Sequence, residues 1–325
     1  MCGRICCSLD PDTLCCACGY KDANGKQCKL TWAKTELKYN PSYNMCPKDI
    51  LPCIVSGSHF EGEEAERILC AMTWGMIPPW CQEDYKKYSS KISTHNSRLE
   101  NIKTSTMYSP SLQKQQRCIV VCEGFFEWKP GTDNKFPKQP YYIYANQDNG
   151  IKADNPTTWN NEFFETDGWK GFKVLKLAGI FGVHKTAEEL FQGNVIHSCT
   201  IITRESNKVL SWLHHRMPVC LTNEEECQVW LSKDLSTDAA IKTLNDMILK
   251  ETVLNWHPVS TIVNNGLNKT VDCRKKIKPK QIEQATFMTS WLQKGSATLN
   301  KRKSINDKTS NNEEDEIISK IQKTN

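Results

Sequence analysis

No apolar run in this 325-residue chain reaches bilayer-spanning length, so nothing in it reads as a transmembrane helix. The opening residues, MCGRICCSLD, lack the apolar stretch of a secretory signal, and no internal repeat is evident. Neither sign of charge dominates: 42 Lys and Arg against 37 Asp and Glu leave a net +5. That balance is compatible with a nucleic-acid partner without pointing to one. Cys15 and Cys18 form a C-x-x-C, but a second well-spaced pair is missing because Cys6 and Cys7 are adjacent. A four-ligand zinc site is therefore not expected, and neither a metal nor an organic cofactor is required.

Cysteine itself is abundant, at 17 residues. The odd count, the chain length and the absent signal argue against a disulfide framework. They favour a reducing compartment in which most thiols pack as small hydrophobes. With 38% hydrophobic and 24% charged residues the composition is that of a globular protein. Runs rich in Val, Ile, Phe and Tyr at strand length occur at 50–56, 68–75, 117–126, 141–145, 173–183 and 198–203. Helical patterns are fewer: 223–231 with an Asn223 cap, and 238–251 with an Asp238 cap. The polar stretch 150–168 reads as a surface loop. Strands and helices do not alternate, so the expected class is α+β, a single domain over 1–279 built on a barrel-like curved antiparallel sheet. Residues 280–325 read as a tail: an amphipathic helix over 281–293, then a Lys/Ser/Thr/Asn/Glu-rich disordered segment. Arg274, Lys275, Lys276, Lys278 and Lys280 read either as a nuclear-import or DNA-contact patch or as a solvated tail.

The chemistry begins at Cys2. If Met1 is removed, Cys2 carries an α-amine and a thiol on adjacent carbons, both partly nucleophilic near neutral pH. Such a 1,2-aminothiol condenses with an aldehyde to an imine, and the thiolate closes a five-membered thiazolidine in an intramolecular step. An N-terminal cysteine therefore implies either an aldehyde trap or an N-terminal-nucleophile hydrolase, a peptidase or amidohydrolase. Three later segments place chemical groups beside basic or aromatic ones: Thr94–Arg98, Cys122–Trp128 and Leu213–Val219. Glu127 follows a Gly-Phe-Phe strand beside a Trp, a setting that suits general acid/base work. Taken singly, Glu127 reads as a surface charge and His214 as a turn histidine before Pro218.

Seven short motifs occur in order: Met1-Cys2-Gly3-Arg4, Tyr43-Asn44-Met45-Cys46-Pro47, Trp74-Gly75-Met76-Ile77-Pro78-Pro79-Trp80, Asn96-Ser97-Arg98, Gly124-Phe125-Phe126-Glu127-Trp128, His214-His215-Arg216-Met217-Pro218 and Trp256-His257-Pro258-Val259-Ser260. Together they resemble the SOS response-associated peptidase family. The resemblance implies covalent capture of abasic sites in single-stranded DNA, with Cys2 as the nucleophile that forms the thiazolidine. It implies that Asn96 holds the Cys2 amine and the adduct, Glu127 is the acid/base group and His214 assists proton transfer. It implies phosphate contacts from Arg4, Arg98 and Arg216, stacking or wedging by Pro47, Trp80 and Trp128, and a polar residue near the site at Thr203. The implied setting is a nuclear monomer at replication forks, with no membrane partner. The stretch 284–292 faintly matches a sliding-clamp-binding peptide, with a plain amphipathic helix as the alternative.

Overall fold

The computed structural model describes residues 3–22, 24–81, 92–130, 138–185 and 195–278. Cys2, the 281–293 helix, the tail and the clamp-like segment lie outside the described residues. The chain divides into a large unit, Met1–Asp133 with Lys138–Lys276, and a second, Asn134–Pro137 with Ile277–Asn325, of which only Ile277 and Lys278 are described.

The large unit carries strands β1 (Ile5–Cys7), β2 (Tyr20–Lys21), β3 (Gln27–Cys28), β4 (Ser42–Met45), β5 (Ile50–Ser56), β6 (Arg67–Trp74), β7 (Asn96–Arg98), β8 (Arg117–Cys122) and β9 (Gly124–Lys129). These are followed by β10 (Gln139–Ala145), β11 (Phe163–Phe164), β12 (Gly168–Trp169), β13 (Leu175–Lys185), β14 (Val195–Glu205), β15 (Arg216–Pro218), β16 (Cys220–Leu221) and β17 (Leu254–Pro258). The helices are α1 (Pro11–Ala17), α2 (Ser109–Gln113), α3 (Glu224–Leu231) and α4 (Thr237–Asp246).

One sheet has the order β15-β14-β6-β5-β8-β13-β16, with β7 also on β14. Because β13 pairs again with β14, from Gly179↔Ile201 to Lys185↔Val195, the strands β14, β6, β5, β8 and β13 close into a barrel. The expected α+β class and curved barrel-like sheet are present. The barrel is mixed rather than wholly antiparallel, because β14 runs parallel to β6 and β7. A second sheet has the order β17-β10-β9-β1-β4.

The central strands read as unbroken apolar runs because both of their faces are covered. Every residue of β8 is buried, and α3 lays Trp230 on it, with its indole donating to the Cys118 carbonyl at 2.9 Å. Twelve of the sixteen described cysteines are buried, as expected of small hydrophobes. The predicted single strand 117–126 is in fact two. The chain leaves the barrel at Glu123 and enters the second sheet at Gly124. A Cβ on Gly124 would stand 2.5 Å from the Ile143 carbonyl and 2.6 Å from the Tyr142 ring, so only glycine lets β10 approach there.

Three other expectations are corrected, and one helix is new. The last helix is Thr237–Asp246, capped by Ser236, whose hydroxyl accepts from the Ala239 amide, while Asp238 sits in the first turn. The 150–168 stretch is partly built into the core: Trp159 stacks on Phe172 at 4.1 Å and donates to the Lys152 carbonyl. Arg274 is not part of an exposed basic patch. It is fully buried, between the rings of Tyr43 and Trp159 and 3.9 Å from the equally buried Glu123. Helix α1, unexpected from sequence, starts at an Asp10 cap that accepts from the Asp12 and Thr13 amides, with Pro11 in its first turn.

Candidate active site

The site is built where β1 enters the second sheet. Ile5 pairs with Phe125 and Cys6 with Gly124, and the Phe126 amide donates to the Arg4 carbonyl at 2.9 Å. Continuing that antiparallel register sets Gly3 opposite Glu127. The start of the chain thus enters alongside the strand that carries the predicted acid/base residue.

Two clamps hold this entry in place. Glu123 accepts from the Ser8 amide at 2.6 Å, the Ser8 hydroxyl at 2.7 Å and the Leu9 amide at 3.2 Å, which fixes the far end of β1. Arg4 fixes the near end, donating to Asn44 Oδ1 at 3.1 Å and to the Val263 and Asn264 carbonyls at 2.8 and 3.1 Å. Asn44, fully buried, donates to the Val263, Asn265 and Asn268 carbonyls and so shapes the same loop. Trp128 joins it, its indole donating to Asn264 Oδ1 at 2.7 Å.

Glu127 is 5% exposed and opens onto a cleft of about 470 Å³ lined by Glu127, Trp128, Pro130, Lys138, His214 and His215. The Trp128 amide donates to Glu127 Oε1. His214 stacks on His215 at 4.4 Å. The Arg216 amide donates to His214 Nδ1 at 3.0 Å. Nδ1 also lies 3.2 Å from the Arg216 carbonyl, so the Arg216 backbone orients the ring in either tautomer. Burial lowers the His214 pKa below the usual histidine range, while the neighbouring Glu127 carboxylate pulls it back up.

Asn96 and the segment that carries His214 sit on opposite edges of β14. On one edge β7 runs parallel to β14, with Asn96 level with Ile201; on the other, β15 pairs Arg216 with Glu205. A clasp ties these edges together. Arg216 donates to both Glu100 carboxylate oxygens at 2.8 and 2.9 Å and to the Thr203 carbonyl at 2.8 Å. Thr203 donates in turn to the Ser97 carbonyl at 3.0 Å. Arg216 holds the Glu100 carboxyl below its ordinary range.

Of the residues singled out from sequence, Glu127, Trp128 and His214 line one cleft, while Asn96 lies across β14 from the His214 segment. Thr203 and Arg216 do not reach the surface; both are buried within the clasp. Arg98 and Trp80 are exposed and Pro47 is half-buried, and none of the three lines the cleft. Sequence reasoning passed over Asn44, Glu100, Glu123 and Asn264. Asn44 and Glu123 hold backbone, Glu100 and Asn264 hold the Arg216 and Trp128 side chains, and only Asn44 and Glu123 fell inside segments with a recognisable motif.

Residues 1–266 match the family described as SOS response associated peptidase (SRAP). The chain is 35% identical over 316 residues to the abasic site processing protein HMCES of Xenopus tropicalis, covering 94% of this chain and 89% of that one. It is 36% identical over 312 residues to the abasic site processing protein HMCES of Pongo abelii, covering 90% of this chain and 82% of that one. In fold it is similar to a crystal structure of a protein from Bordetella bronchiseptica, with a TM-score of 0.55 at 17% identity, over 80% of this chain and 100% of that one.

Proposed function

The chain belongs to the SOS response associated peptidase family, and from that premise we propose that it processes abasic sites in single-stranded DNA by capturing them as a covalent thiazolidine on Cys2. Removal of Met1 bares the Cys2 amine. The amine attacks the C1′ aldehyde of the ring-opened deoxyribose to give a carbinolamine. The Glu127 carboxylate takes the proton that the nitrogen sheds and passes it to the departing hydroxyl, so that water leaves and an imine forms. The Cys2 thiolate then adds to the imine carbon while the imine nitrogen takes up a proton. Aldehyde and aminothiol thus become thiazolidine and one water, and no redox partner is needed. His214 serves the sugar oxygen freed on ring opening. Asn96 orients the amine.

The observation that carries this reading is the register of β1 on β9, which runs the first residues of the chain along the strand that carries Glu127, in the cleft shared with His214. The names of the relatives support the lesion. In this reading Arg98 and Trp80, both exposed, meet the strand directly. Arg216 and Thr203 act at one remove, by fixing the two edges of β14. Purified protein lacking Met1 is mixed with a single-stranded oligonucleotide bearing one abasic site and run on a denaturing gel beside Cys2→Ala and Cys2→Ser. A heat-stable band given only by wild type and only with the abasic strand is expected. No covalent band from wild type would sink the reading and shift the weight to an N-terminal-nucleophile hydrolase, tested next on peptide and amide substrates.

A further inference from the structure

One face of the β17-β10-β9 sheet carries a row of half-buried aromatic rings that the chemistry above does not use. Alternate residues of a strand share a face, and cross-strand partners share it too. Tyr141 pairs directly with Glu127, and Trp256 pairs with Ile143 on the same face two residues further along. Lys129 shares the face by its place in β9. Trp212 comes down onto this face from the segment that delivers His214. It meets the Tyr141 ring edge-on at 5.0 Å and the Trp256 ring at 5.4 Å. The Lys129 ammonium stands 5.6 Å from the centre of the Trp212 ring. The Trp212 indole nitrogen is fixed to the Val209 carbonyl at 3.0 Å, so the ring is held rather than swinging. Tyr141, Trp212 and Trp256 pack against the core yet remain partly exposed.

We infer that this row is a stacking platform for the single strand that leaves the lesion, so that the chain grips undamaged nucleotides on one side of the cleft as well as the abasic site itself. This rests on the proposed function. The juxtaposition names the occupant. Three rings in a row suit successive unpaired bases, since every base offers a π-face. The neighbouring cations suit the backbone: Lys129 at the platform and Lys138 in the cleft form no ion pair among the described residues, so both are available to phosphates. A peptide partner would have to bury these charges against acidic residues. A polynucleotide supplies phosphates at every step. The platform adjoins the cleft, since Tyr141 pairs with Glu127 and Trp212 lies two residues before His214.

The test separates platform from chemistry. Binding of an undamaged oligothymidylate is read by fluorescence anisotropy for wild type, Trp212→Ala, Trp256→Ala and Lys129→Gln, with Trp212→Phe as a variant that keeps a ring and the fold. Cross-linking is read in parallel on a trinucleotide with a central abasic site, too short to reach the platform. The expected result is binding weakened roughly fivefold or more for each Trp→Ala variant, in line with the loss of one stacked base. Trp212→Phe should lie near wild type, Lys129→Gln should have a shallower salt dependence, and trinucleotide cross-linking should be unchanged. Oligothymidylate binding that is equal in wild type and both Trp→Ala variants, while their melting matches wild type, overturns the platform whether or not cross-links form. A wild type that binds through the platform but never cross-links overturns the proposed chemistry and leaves the platform standing.

Discussion

Replacing Glu123 by Ala tests how β1 is held. Glu123 and Arg274 are both fully buried. The variant leaves the guanidinium between Tyr43 and Trp159 with no anion to answer it, keeping only the Ser8 hydroxyl at 3.3 Å and a weak contact to Cys6. Removing one partner of a buried ion pair costs about 3–5 kcal/mol. The Ser8 and Leu9 amides also lose their acceptor, at about 1–3 kcal/mol for each buried group left unsatisfied. These contributions overlap, so the expected loss is at least about 3 kcal/mol, a large share of the roughly 5–15 kcal/mol that holds a typical domain together. Urea unfolding reads it as a lower midpoint at unchanged slope. Glu123→Gln, which keeps a carbonyl for the two amides, should fall between Ala and wild type. Adding Arg274→Met to Glu123→Gln should cost less than Arg274→Met alone, because no buried charge is then left unanswered. A Glu123→Ala unfolding free energy within about 1 kcal/mol of wild type would refute the clamp.

Other outcomes follow from the same contacts. Glu100→Gln removes the bidentate partner of Arg216; with Glu100 half-exposed, the loss should be about 1–2 kcal/mol at neutral pH. The folded-state pKa of Glu100 is depressed, so this stability is present above the ordinary Glu value and vanishes as the pH falls through the folded one; wild type and variant should converge in acid denaturation curves. The His214 ring should titrate below the ordinary histidine value by NMR. In Glu127→Gln, which removes the carboxylate that pulls it up, its titration should move to still lower pH; a shift upward would contradict their pairing in the cleft.

Much of the fold was legible because its strands are apolar at strand length; β5, β6, β10 and the Asn223-capped helix α3 stand within a few residues of where the pattern put them. The corner at Glu123 was not, because a run of Val, Cys, Gly and Phe carries no mark of a change of sheet. The close approach of Tyr142 to Gly124 that makes the turn is a tertiary fact. Arg274 sits in a string of lysines and reads as exposed, and only the buried carboxylate across the fold explains its place. In the candidate site, Glu127, Trp128 and His214 were legible through their motifs. Arg216 was singled out by its motif, but its burial in the Glu100 clasp was not legible, since Glu100 lies 116 residues away.

The account rests on the aminothiol of Cys2, and intact-mass analysis of the protein bound to an abasic oligonucleotide tests it most directly. The account predicts an adduct, formed without reductant, at the summed masses of Met1-free protein and oligonucleotide less one water. Its cross-linked peptide should begin at Cys2, and no free thiol should remain on that residue. An adduct trapped only by borohydride, or one carried by a lysine, would contradict it.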